Sequence, residues 1–146
     1  MRFWDATALL PLLVREGITA TTQECYREDP TVVVAWTTPV ECAGAIARAE
    51  REGLLDQVGA TAAFARLDAL AATWHEVEPS ADVRDIARRL LRVHRLGATE
   101  AIHLASATLA AERRPASLTI LTTSERFEAA ALREGFRVEV PGRGEW

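Results

Sequence analysis

Two short runs constrain this chain more than any other feature: residues 32–35 read Val-Val-Val-Ala and residues 118–121 read Leu-Thr-Ile-Leu, apolar stretches that do not alternate with polar residues. Runs of this kind are the mark of central parallel strands buried on both faces. Parallel neighbours cannot be joined by a hairpin, so each must be followed by a crossover, and the chain supplies helical periodicity in the right places. A helical run follows Asp5, and further ones span 39–53, 61–73, 82–94, 99–113 and 125–134. Weaker β-type segments lie at 2–4, 74–77 and 137–140. Strands alternating with helices of this length predict an α/β fold with a parallel sheet and right-handed crossovers.

The helix ends carry recognisable signals. Thr38-Pro39-Val40-Glu41 reads as a capping box, with threonine as N-cap, proline first in the helix and glutamate third. Gly53 and Gly135 follow the last periodic residues, where C-terminal glycines belong. No repeat, low-complexity tract or linker divides the chain, and 146 residues with 49% hydrophobic content suit one domain over 1–146.

Charge and composition exclude several classes of function. The 21 acidic and 17 basic residues leave a net charge of −4, which argues against a simple electrostatic nucleic-acid binder. All 17 basic residues are arginine. Without lysine there is no P-loop, and a phosphoacceptor receiver domain is disfavoured. No G-x-G-x-x-G follows a strand. Cys25 and Cys42 lack metal-ligand or redox spacing and are expected to be reduced packing residues. No apolar run spans a bilayer and no secretory leader opens the sequence, so a cytoplasmic location without membrane contact is expected.

Polar residues gather where helices begin. Asp5, Glu41, Glu100 and the Ser124-Glu125 pair all stand at such positions, and Asp5 and Ser124 follow segments expected to be central strands. The carboxyl edge of a parallel sheet is where α/β folds hold ligands. Three carboxylates meeting there would repel one another unless a cation or a proton intervened. Oxygen-only clusters suit hard divalent ions, which assist phosphodiester hydrolysis. Each residue also has a purely structural reading: Asp5 and Glu41 as helix caps, and Glu100 as a first-turn acid or the partner of His103 one turn on. His103, in the apolar sequence Ala101-Ile102-His103-Leu104-Ala105, reads as a buried, hydrogen-bonded residue rather than a base. Arg84, Arg88, Arg89, Arg92 and Arg95 form a helical face, either solvated or in contact with RNA phosphates.

Four segments in order resemble the PIN domains, and especially the VapC-type toxins of toxin–antitoxin pairs. Trp4-Asp5-Ala6-Thr7-Ala8-Leu9-Leu10 resembles the family's D-[TS]-S-A-L opening, and Thr38-Pro39-Val40-Glu41 with Ala45-Ile46 its T-x-x-E-x-x-x-A-[LI] segment. Glu100-Ala101-Ile102-His103-Leu104-Ala105 is similar to D-A-[LI]-H-L-A, and Thr122-Thr123-Ser124-Glu125-Arg126-Phe127 to the closing T-x-D-x-R-[LF]. The resemblance implies a PIN-like three-layer sandwich, with a five-stranded, mostly parallel sheet flanked by helices. It also implies a Mg²⁺- or Mn²⁺-dependent ribonuclease acting on RNA, a VapB-type antitoxin as cognate partner, and a homodimer.

Carried over by position, the resemblance gives Asp5, Glu41, Glu100 and Ser124 as the catalytic set and Asp5, Glu41 and Glu100 as metal ligands. Glu100 and Ser124 stand where the family carries aspartates. Glutamate reaches one methylene further, and serine removes a charge, so a one-metal site is expected, with Ser124 holding water or a substrate phosphate and Thr7 adding a hydroxyl contact. The same two departures motivate a rival reading, a catalytically weakened PIN-like module that binds RNA or protein.

Overall fold

The computed structural model describes residues 1–143. Five parallel strands form one sheet: β1 (Arg2–Trp4), β2 (Val32–Ala35), β3 (His75–Val77), β4 (Thr119–Leu121) and β5 (Arg137–Glu139), in the order β3-β2-β1-β4-β5. The helices are α1 (Ala6–Leu13), α2 (Thr19–Glu28), α3 (Thr38–Arg51), α4 (Gln57–Ala71), α5 (Ala81–Val93), α6 (Ala98–Ala110) and α7 (Glu125–Arg133). This is the three-layer α/β sandwich with a five-stranded parallel sheet that the resemblance implied.

Strand periodicity assigns the layers. Successive residues of a strand face opposite sides, so Phe3 enters one apolar cluster and Trp4 the other, while Ile120 and Leu121 divide in the same way. Phe3 and Ile120 pack under α5, α6 and α7 with Leu90, Leu104 and Phe127. Trp4 and Leu121 pack under α1 to α4 with Leu9, Leu13, Ile46 and Leu67. All four residues of β2 are buried, as a strand covered on both faces must be. At the sheet edge, by contrast, His75 and Glu76 of β3 are exposed.

The strand order places the site. The chain moves from β1 outward to β2 and β3, then returns to lay β4 and β5 on the other side of β1. The reversal falls between β1 and β4, whose registers pair Phe3 with Ile120 and Trp4 with Leu121. A crevice therefore opens beyond the carboxyl ends of these two strands, the switch point at which open α/β sheets bind ligands. The Asp5 N–H donates to the Leu121 carbonyl at 3.0 Å, which fixes Asp5 at its floor.

Several element ends differ from expectation. Helix α2 had no sequence signal, because only Thr22 and Cys25 of its ten residues are buried and the segment is mostly polar. Helix α4 begins four residues earlier than expected, at Gln57, where the Asp56 side chain accepts the Gly59 N–H. Gly135 does end α7 as expected, at φ 93°. There the Phe136 N–H reaches the Ala131 carbonyl and the Gly135 N–H the Leu132 carbonyl, both at 3.0 Å, the Schellman pattern that only a left-handed residue closes without strain.

Candidate active site

Asp5 stands just before α1 in extended backbone, the N-cap position, but its side chain makes no capping bond. Both carboxylate oxygens turn into the crevice, and the residue is only 5% exposed. Oδ1 accepts from Nδ1 of His103 at 2.9 Å. Oδ2 accepts from the Thr7 hydroxyl at 2.6 Å and from the Thr122 hydroxyl at 2.9 Å. Each hydroxyl is itself held in place by a backbone N–H, of Thr123 at 3.0 Å for Thr7 and of Ser124 at 3.0 Å for Thr122. The carboxylate is thus gripped from α1, α6 and the end of β4.

The capping-box reading of Glu41 is corrected by the structure. Helix α3 begins at Thr38, so its N-cap is Thr37, and no side chain caps it. Glu41 is freed to cross the crevice, where its Oε2 accepts a hydrogen bond from Nε2 of His103. The Thr37 hydroxyl lies 3.4 Å from the same nitrogen. His103, 1% exposed and set edge-on against the Phe3 ring, therefore joins Asp5 to Glu41, one through each ring nitrogen.

Opposed effects set the protonation of this trio. Burial alone would lower the His103 pKa, but the hydrogen bonds and charges of Asp5 and Glu41 outweigh it and raise the value from 6.5 to about 9. For Asp5, burial pulls upward, and the His103 hydrogen bond and charge, with the Thr7 and Thr122 hydroxyls, carry the net shift below 3.8. At neutral pH the imidazolium therefore supplies the cation that keeps two carboxylates together. Burial, followed by the charges of Glu41 and Asp5, pushes the neighbouring Cys42 thiol up to about 12, which leaves it neutral and no nucleophile.

Glu100 and Ser124 are differently placed. Glu100 turns back over its own helix end, where Oε2 accepts the Gly97 N–H at 2.9 Å and Oε1 faces Nη2 of Arg126 at 3.3 Å. The reading that paired Glu100 with His103 is thereby replaced: His103 belongs to Asp5 and Glu41. Ser124 caps α7, its Oγ accepting the Phe127 N–H at 3.3 Å. Thr122 is a site residue that the sequence reading did not single out. Its signals were its place after a central strand and its match to the opening threonine of the T-x-D-x-R segment.

Tested against a hard divalent ion, the donor chemistry fits: the Asp5 carboxylate with its two hydroxyls, and the Glu41 carboxylate across His103, offer oxygen donors at the crevice. Asp5 and Glu41 are the side chains that would hold it. Among the described residues no three His, Cys, Asp or Glu side chains stand together as a ready-made metal set. Glu100 would join only by releasing Gly97 and Arg126.

No protein-family model and no curated protein matches the chain. Solved structures do. FitAB bound to an IR36 DNA fragment aligns over 100% of this chain and 99% of its own, with TM-score 0.69 and 15% identity. FitAcB from Neisseria gonorrhoeae aligns over 97% and 98%, with TM-score 0.67 and 17% identity. VapBC2 from Rickettsia felis, bound to a DNA fragment from its promoter, aligns over 95% and 97%, with TM-score 0.64 and 10% identity. The shared feature is the fold, end to end.

Proposed function

We propose that this chain is a PIN-domain ribonuclease of the VapC toxin type, dependent on Mg²⁺ or Mn²⁺ and neutralised by a cognate antitoxin. The observation that carries the reading is that Asp5 and Glu41 meet one buried imidazole, His103, at the switch of the sheet, with Thr7 and Thr122 gripping Asp5. Nothing in the packing requires two acids there. Burying Asp5 beside a second, part-buried acid is costly, and such expense is typical of a working site.

When bound, a divalent ion supplies Lewis-acid chemistry, acidifying water and offsetting charge on a phosphate. This chain's residues do the rest. Asp5 and Glu41 would hold the ion, and Glu100 would add a third carboxylate only on leaving Gly97 and Arg126. Thr7 and Thr122 keep the Asp5 oxygens in fixed directions. Ser124 spends its oxygen lone pair on Phe127 and retains its O–H to donate to a substrate phosphate. His103, wedged between the two ligands, sets their spacing.

The structural likeness to FitAB and VapBC2, each solved on DNA, supports a second protein as partner. A chain of net charge −4 is poorly suited to hold promoter DNA itself, so the partner would carry the DNA-binding part. An arginine of that antitoxin, placed in the crevice, would neutralise Asp5 and Glu41 by a bidentate pair. No helix among the described residues is long and apolar enough to cross a membrane; we place the protein in the cytoplasm, as a homodimer. Induced expression in a bacterial host tests the reading: the wild-type chain arrests growth and Asp5→Asn does not. Equal growth under both would overturn it.

One observation favours the second reading, a PIN-like module that binds RNA or protein with little catalysis. Glu100 is engaged by Gly97 and Arg126, and Ser124 brings no charge. Calorimetry separates the two, because a module of that kind binds neither Mg²⁺ nor Mn²⁺.

A further inference from the structure

Glu100 and His103 lie three residues apart on α6 and so share a face of the helix. His103 meets Asp5 and Glu41, whereas Glu100, one turn N-terminal on the same helix, bonds to Gly97 and Arg126 instead. Two restraints hold it there. The first is the Gly97 N–H, a local bond that any glutamate at this point of a helix can make. The second is tertiary: Arg126, in the first turn of α7, reaches across to Glu100 Oε1.

The Arg126–Glu100 pair has little structural purpose. The arginine side chain is 66% exposed and the glutamate 22%, and exposed ion pairs of this kind add little to folding. Its effect on the crevice is larger. A third carboxylate beside Asp5 and Glu41 would be repelled in the absence of a cation and would be a ligand in its presence.

We propose that Arg126 is a positioning residue that holds Glu100 away from the Asp5–Glu41 centre and so weakens the hold of this site on a divalent ion. The inference rests on the metal-dependent reading above. It differs from a general charge effect in one respect, since it acts only through Glu100.

Titration calorimetry with Mn²⁺ alone tests it on the whole chain, using wild type, Arg126→Ala, Arg126→Lys, Glu100→Gln and the Arg126→Ala/Glu100→Gln double variant, each with its thermal melt recorded. Removing the pair should tighten Mn²⁺ binding by about two- to fivefold, the range of a surface ion pair. Lysine at 126 keeps a cation within reach of Glu100 and should restore most of the wild-type affinity. In the Glu100→Gln background the alanine substitution should change affinity by less than about twofold, the lower end of that range. Unchanged affinity in Arg126→Ala, or an equal gain with and without Glu100, overturns the inference and leaves the metal-dependent reading standing. Failure of the wild type to bind Mn²⁺ any better than Asp5→Asn overturns both.

Discussion

The Nδ1–H of His103 donates to Oδ1 of Asp5 at 2.9 Å, across 98 positions of sequence and between the end of the central strand and the middle of α6. With Glu41 on the other ring nitrogen, this makes the buried histidine the counterion of the crevice. The relationship ties a strand end, two helices and a candidate metal centre into one electrostatic unit.

Removing the imidazole should therefore cost stability when no metal is present. His103→Ala leaves two carboxylates facing each other with nothing between them, and breaking a buried charged network of this kind costs about 3–5 kcal/mol. Urea denaturation in chelator measures it. Adding Mn²⁺ should return part of the loss, because the ion replaces the missing cation.

The same unit dictates a pH profile for the chelated protein. His103 has a folded-state pKa raised from 6.5 to about 9, so its contribution is complete below 6.5 and disappears as pH climbs through about 9. Asp5 is shifted below 3.8, so its contribution is present above that value and lost as the solution is acidified through the lowered pKa. Stability should then peak between about pH 4 and 6.5 and fall on the alkaline side by about 3 kcal/mol, the size of the His103 shift. Urea midpoints measured from pH 4 to 10 would show the alkaline decline in wild type. They should lack most of it in His103→Ala.

Thr122→Val retains the shape of the side chain while removing its O–H. Asp5 Oδ2 then loses a donor at a buried position and the part-buried Ser124 N–H its acceptor. Leaving buried polar groups unpaired costs about 1–3 kcal/mol, which a denaturation midpoint resolves. A neutral result would mean that Thr122 does not hold Asp5.

How far this was legible in the sequence depends on what each residue encodes. Continuous apolar runs such as Val32–Ala35 announce a strand covered on both faces, because no other environment tolerates them. Helix α2 announced nothing, since a mostly polar segment that buries only Thr22 and Cys25 offers few apolar residues to read. Asp5 and Glu41 could be placed at helix starts beside the sheet edge, but their rotamers could not. A carboxylate in a first turn can cap its own helix or reach across to another element, and the sequence is the same in both cases. Glu41 reaches out to His103, and Glu100, written in much the same local code, folds back on Gly97. The difference lies in what stands opposite: an imidazole for one, and Arg126 for the other. His103 showed its burial through its apolar neighbours, while its bridging role needed three elements to be brought together.

Cleavage of RNA by the purified chain, freed of any antitoxin and supplied with millimolar Mg²⁺ or Mn²⁺, tests the central claim most directly when run beside Asp5→Asn and a chelated control. The account predicts metal-dependent cleavage by the wild type and a loss of at least about a hundredfold in Asp5→Asn, the scale seen when a preorganised electrostatic group is removed. Intact RNA in every lane, or cleavage that continues undiminished in Asp5→Asn, would contradict it.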